Sequence, residues 1–157
     1  MPTIRVQRED FDPGAELARL TAGKTSIGGL ACFVGLVRDM AGAERIAAMT
    51  LEHYPGMTER AIEKMVAEAC ARWPLDDVTV IHRYGRLTPG DRIVLVATTS
   101  SHRDACLESV HFLIDWLKTK APFWKLEDTA SGAKWVAARE EDDKAAERWT
   151  AAPSSRP

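Results

Sequence analysis

Three lysines surround one proline and two aromatics in the stretch Leu117-Lys118-Thr119-Lys120-Ala121-Pro122-Phe123-Trp124-Lys125. The apolar-periodic segment before it has to stop here, because Pro122 restricts Ala121 to extended geometry and turns the chain. Lys125 then opens the next segment and folds back toward Lys118, so that two ammonium groups face one anion. Two ordinary roles compete with this one. Cations in a last helical turn complement the helix dipole, and Asp115 with Lys118, at i and i+3, makes a helix-surface ion pair.

A second candidate anion site is Ser100-Ser101-His102-Arg103 at the start of the same helical segment. Unpaired backbone amides and the positive end of the dipole gather there, and His102 and Arg103 add charge-assisted donors. The alternative is a solvated first turn that Ser101 caps. Arg38, directly after an apolar strand and a glycine, is a third candidate, since guanidinium holds planar oxyanions in a bidentate grip; taken singly, it is as well a surface arginine at a strand end. His102 and Cys106 at i and i+4 have the outline of a Cys-His dyad or half a metal site. Cys106, however, lies on the apolar stripe and no third ligand is near in sequence. His111 shares a helix side with Asp115 and Lys118 and is an interface or surface residue.

Spacing sharpens this picture. His102 and Lys118 stand 16 residues apart on one continuous helical pattern, which separates their backbones by about 24 Å. They cannot meet in a pocket of one chain. If both serve one reaction, the second chain of a dimer brings one to the other, as isologous interfaces readily do.

The elements that must position these groups follow from periodicity. Thr3 to Gln7 alternates as a first strand, and Pro13 opens a short helix that ends near Gly23. Ile27 to Val37 is apolar and punctuated by glycine, the pattern of a buried strand in which Gly35 permits a bulge or a close approach. Arg38 and Asp39 end it in a turn, Met40 to Ala43 form a mobile loop, and Ile46 to His53 is extended again. From Thr58 to Pro74, Ile62, Met65, Val66, Ala69, Cys70 and Trp73 form a buried helical stripe. Val78 to His82 and Ile93 to Thr98 are paired β-branched strands flanking Gly85 and the turn Thr88-Pro89-Gly90-Asp91. Ser101 and Asp104 have capping-box spacing before a long helix whose stripe is Cys106, Val110, Leu113, Ile114 and Leu117. Phe123 to Glu127 and Lys134 to Ala137 close the pattern as strands around Ser131-Gly132. Glu140 to Asp143 is an acidic run, followed by a helical turn from Lys144 to Trp149.

The expected fold class is therefore α+β: a mixed, largely antiparallel sheet with two long helices packed on it, a single domain over residues 1–150, and a disordered tail over residues 151–157. A chain of 157 residues buries roughly 70% of its unfolded surface, enough for one sizeable core. With 45% apolar and 28% charged residues and a formal net charge of −2, it has no global pull toward nucleic acid or membrane. An anion site must be local. Without a membrane-length apolar run or a secretory signal, a cytoplasmic protein is expected. Cys32, Cys70 and Cys106, odd in number and widely spaced, read as reduced and mostly buried thiols.

Six ordered blocks carry a resemblance: F-V-G-L-V-R from Phe33 to Arg38, L-E-H-Y-P-G-M from Leu51 to Met57, H-R-Y-G-R-L-T-P-G-D from His82 to Asp91, S-S-H-R from Ser100 to Arg103, L-K-T-K-A-P-F-W-K from Leu117 to Lys125, and K-W-V-A-A-R-E from Lys134 to Glu140. Together they resemble the large, catalytic subunit of molybdopterin synthase, over nearly all of the chain from Phe33 to Trp149. The resemblance implies an enzyme, a sulfurtransferase that converts cyclic pyranopterin monophosphate to molybdopterin by installing a dithiolene. Sulfur arrives as the C-terminal thiocarboxylate of a small ubiquitin-like sulfur-carrier subunit, whose Gly-Gly tail threads into the large subunit. Two large subunits form the homodimer core of a heterotetramer with one small subunit at each end. Neither a cofactor nor a metal is implied.

By matching motif positions, the resemblance assigns catalysis to Lys118 and Lys125, and substrate binding to Leu36, Val37, Arg38, Leu126 and Glu127, with His102 and Arg103 entering from the other protomer. Arg139 matches a further basic position. The Asp39–Ala43 turn is shorter and plainer than the loop in relatives. Phosphate and thiocarboxylate are both anions, and the basic residues offset their repulsion. Lys118, beside Lys125 and partly desolvated, acts as acid or base or takes up the acyl group, while Lys125 stabilises charge. A rival function is a non-catalytic docking module for a ubiquitin-like tail, in which the same lysines pair with a carboxylate. A cysteine hydrolase built on Cys106 is a third.

Overall fold

The computed structural model describes residues 2–136 and 140–150. Arg139 and the tail expected over residues 151–157 lie outside the described residues. In chain order the elements are β1 (Thr3–Gln7), α1 (Pro13–Thr21), β2 (Gly29–Leu36), β3 (Met40–Ala41), β4 (Glu44–His53), α2 (Met57–Arg72), β5 (Asp77–Arg83), β6 (Gly85–Leu87), β7 (Arg92–Ser100), α3 (Arg103–Lys120), β8 (Phe123–Thr129), β9 (Gly132–Val136) and α4 (Glu140–Glu147). The fold is α+β and largely antiparallel, with one parallel pair among the described residues, β1 beside β5.

The strands divide between two sheets. The first has the order β1-β5-β7-β2; in the second, β3-β4-β8-β9 run in order and β6 pairs with β4. Period-2 alternation gives the first sheet two apolar faces. Val78, Val80 and Val96 pack against Ile62, Met65, Val66 and Ala69 of α2 and Phe112, Leu113 and Leu117 of α3. Ile81, Leu95 and Ala97 face the other way, onto Leu20 of α1 and Phe11. α1 starts as its sequence dictates, with Asp12 Oδ1 accepting from the Ala15 amide and Pro13 in the first turn. The second sheet sits at the C-terminal end of α3, where Leu51 and Met49 of β4 face Lys125 and Glu127 in register on β8.

Several expectations change. Among the described residues β2 is an edge strand, paired with β7 alone, and Cys32, Phe33 and Leu36 on it are exposed. A continuous apolar run reads the same whether its cover comes from this chain or from elsewhere. Met40 to Ala43 is a tight hairpin between β3 and β4, turning at Gly42 with φ 63°. Cys70 is exposed along with Cys32, so only Cys106 of the three thiols is buried. The N-cap of α3 is His102 and not Ser101, and no side chain caps it there. Instead the Ser100 hydroxyl accepts from the His102 amide at 3.2 Å and donates to the Pro74 carbonyl. The acidic run is not a separate segment but the start of α4.

The Gly35 expectation holds. The β2–β7 register shifts between Gly35 and Leu36. A methyl on Gly35 would lie 2.8 Å from Val94 Cγ1.

Candidate functional site

The two ends of α3 meet different surroundings. At its C-terminal end Ala121 adopts φ −77° and ψ 136°, the extended geometry that a following proline imposes, and the Phe123 amide closes back on the Ala121 carbonyl at 2.8 Å. The chain thereby reverses from the helix into β8. Lys118, in the last turn of the helix, and Lys125, two residues into the strand, both open on one cleft of about 750 Å³. β2 and the strand end after it supply Phe33, Gly35, Leu36, Val37 and Arg38, β4 supplies Met49 and Leu51, and β5 supplies His82.

Arg38 is aimed by its neighbours. The Val37 amide donates to the Asp91 carbonyl, the Gly90 amide to the Val37 carbonyl, and the Ile46 amide to the Asp39 carbonyl. These bonds tie the strand end to the Pro89-Gly90 turn and leave the guanidinium exposed. Glu127 is buried on the cleft floor, and its Oε1 lies 3.8 Å from Lys125 Nζ. A carboxylate in that position is tolerated because it is paired. Asp142 of α4 stands on the rim.

The cleft therefore collects Leu36, Val37, Arg38, Lys118, Lys125 and Glu127. Leu126 lies on the other face of β8, as alternation requires between Lys125 and Glu127; it pairs with Thr50 and Trp135. Lys118 is exposed in the single chain. Asp115 is buried and does not sit on the surface beside it: its Oδ2 accepts from Trp149 Nε1 at 2.7 Å and lies 3.5 Å from both His111 Nε2 and Arg148 Nε. His102 and Arg103 are exposed at the far end of α3. Cys106 is turned away from His102, its thiol donating to the Gly29 carbonyl at 3.2 Å, so the dyad does not form.

Sequence reasoning passed over His82 and Phe123. A signal existed in both cases. His82 continues the inward register of Val78 and Val80, where a titratable side chain is out of place, and Phe123 follows directly on the proline.

The cleft thus holds three cations and two carboxylates among apolar side chains. The model of the family described as MoaE protein matches residues 6–120. This chain belongs to the MoaE family. A molybdopterin synthase catalytic subunit from Ralstonia nicotianae is 54% identical over 149 residues, covering 95% of this chain and 85% of that one. Another from Mesorhizobium japonicum is 51% identical over 150 residues, covering 94% and 93%. A solved MoaE structure from Burkholderia ambifaria superposes with a TM-score of 0.82 at 56% identity, covering 96% of this chain and 99% of that one. Membership in MoaE makes the chain an enzyme of molybdenum cofactor biosynthesis, as the resemblance implied. Among the described residues, no helix is long and apolar enough to cross a membrane.

Proposed function

We propose that the chain acts in the cytoplasm as the catalytic subunit of a molybdopterin synthase, a sulfurtransferase that takes sulfur from the C-terminal thiocarboxylate of a small ubiquitin-like subunit and places it on a pyranopterin monophosphate. The observation that carries this reading is the convergence of Arg38, Lys118 and Lys125 on one cleft. Both reactants are anionic, and in a part-buried site the repulsion between them is several kcal/mol unless cations offset it, of order 4 kcal/mol for unit charges ~4 Å apart.

In the step itself the thiocarboxylate sulfur bonds to a carbon of the pterin substrate as a C–O bond at that carbon breaks, the departing oxygen leaving as water or remaining on the phosphate. The acyl–sulfur bond then breaks toward water, which leaves the partner with a carboxylate and the pterin with a thiolate. Lys118 shuttles the proton of that water, or takes up the acyl group on its side-chain nitrogen. Lys125, held beside Glu127, stabilises the developing negative charge.

His102 and Arg103 complete the site from a second copy of the chain. α3 runs unbroken from Arg103 to Lys120, so the separation of about 24 Å expected from the helical rise applies. The test is complementation. Lys118→Ala and Arg103→Ala homodimers, incubated with thiocarboxylated small subunit and pterin substrate, are each expected to be slowed roughly 100-fold or more. A mixed dimer of the two variants has one intact site and regains about half of the wild-type turnover. No recovery in the mixed dimer would remove the composite site, and full turnover by Lys118→Ala would remove Lys118 from the chemistry. A docking module would form the complex and release no dithiolene product.

A further inference from the structure

Phe123 is the pivot between the two cleft lysines, since the chain runs from Lys118 through the Ala121-Pro122 reversal to Phe123 and then to Lys125 on the same side of β8. Its ring is stacked on His82, with centroids 3.8 Å apart and planes inclined by 18°. His53, its register partner on β4, stands 5.9 Å from it and packs against Tyr84 at 4.5 Å. Both imidazoles are fixed by hydrogen bonds. His82 Nδ1 donates to the Arg83 carbonyl at 2.8 Å. The Thr58 hydroxyl gives its one proton to the Tyr54 carbonyl, so it accepts from His53 Nδ1 at 3.0 Å.

His82 is buried and lines the cleft. It occupies the inward register of β5, where Val78 and Val80 fill the core with hydrocarbon. The residue it touches, Phe123 at the start of β8, has the helix reversal on one side and Lys125 two residues on along the strand. We propose that His82 is a positioning residue for the sulfur-transfer site: its ring holds Phe123, and through Phe123 sets how closely Lys125 approaches Lys118. The proposal rests on the function given above. It also has a geometric content that can be read without turnover.

Displacing a reacting group by about 1 Å can cost on the order of 100-fold in rate. His82→Leu deletes the ring and keeps apolar volume, whereas His82→Phe keeps a ring for the stack. With thiocarboxylated small subunit and pterin substrate, His82→Leu should lower kcat at least tenfold while KM changes less than threefold, and His82→Phe should return kcat to within threefold of wild type. Independently, a short amine-reactive cross-linker applied to the full chain should join Lys118 to Lys125. The yield, read by mass spectrometry, should fall at least fivefold in His82→Leu and persist in His82→Phe. If the leucine variant does not fold, His82→Met makes the same ring deletion. Unchanged kcat and cross-link yield in the ring-deleted variant, or equal impairment of the phenylalanine and leucine variants, would overturn the proposal. Absence of product from the wild-type protein would overturn the function instead, and the cross-link comparison would still judge His82.

Discussion

His82 has a second consequence, in acid stability. Burial lowers its pKa from 6.5 to about 4; the neighbouring His53 adds to the effect, and the hydrogen bond to the Arg83 carbonyl opposes it. A folded pKa below the unfolded one means that between those values the unfolded chain binds a proton that the native chain refuses. Stability from this residue is thus fully present above pH 6.5 and is lost as the pH falls toward 4. At 1.36 kcal/mol per unit, the whole shift is worth about 3 kcal/mol, of which about 2 kcal/mol is lost between pH 7 and pH 5. The carboxylates held low by arginine or hydroxyl partners, Asp10, Glu16 and Glu44, move stability in the same direction, but only near and below their ordinary values close to 4. Over the interval from pH 7 to 5, the difference between wild type and a variant lacking only this ring's titration therefore isolates His82. His82→Phe removes the titration while keeping the ring, at a constant cost of roughly 1 to 3 kcal/mol for the unpaired Arg83 carbonyl. Urea unfolding followed by tryptophan fluorescence at pH 7, 6 and 5 should show wild type losing about 2 kcal/mol more than His82→Phe. Equal losses in the two proteins would refute the buried, neutral imidazole.

Gly28 is the tightest backbone approach near the proposed second half of the site. A Cβ there would lie 2.2 Å from the Ser101 carbonyl oxygen, next to His102 and Arg103. Gly28→Ala should therefore destabilise by about 2 kcal/mol, a fall in Tm of roughly 4–8 °C. Gly14→Ala is the control, since its methyl meets nothing nearer than Asp12 Oδ1 at 3.4 Å; a Tm change equal to the control would show that Ser101 yields freely. For the thiols, Cys32 and Cys70 should alkylate in the native protein and Cys106 only on unfolding. Burial raises all three thiol pKa values, so the accessible pair should label faster as the pH rises. Native labelling of Cys106 would contradict its packing against Gly29.

What was legible in the chain was whatever a local period or a local restriction encodes. The stripes of α2 and α3 follow the 3.6-residue repeat, the β-branched runs of β5 and β7 pair as expected, and Pro122 alone marks where the helix must give way to Lys125. Cys70 was misplaced because it sits one residue beyond Ala69, about 100° around the helix, where the packed face has ended. Leu126 shows the limit of reading motifs as runs. The resemblance carried Lys125, Leu126 and Glu127 together, while a strand sends alternate residues to opposite faces. The division into two sheets, the three-residue β6 and the edge position of β2 depend on which strands find each other in space, and no window of sequence contains that information.

The apolar surface left uncovered by one chain bears on the proposed composite site. Phe33 and Leu36, which line the cleft, are 41% and 54% exposed, and Leu107, one turn beyond Arg103, is 62% exposed. Uncovered apolar side chains thus stand beside each half of the basic cluster, at opposite ends of a helix about 27 Å long. An isologous interface places the same patch of each copy against the other. If that patch includes both ends of α3, burying Leu107 against the neighbour's β2 edge and bringing Arg103 to the neighbour's Lys118 are one event. A contact that covered Phe33 and Leu36 would also lower the dielectric around the cleft cations, so that each of them would act more strongly on a bound anion than it would in water. Dimerisation and assembly of the anion site are then coupled, and a substitution that weakens the β2 edge should lower turnover in step with the dimer population.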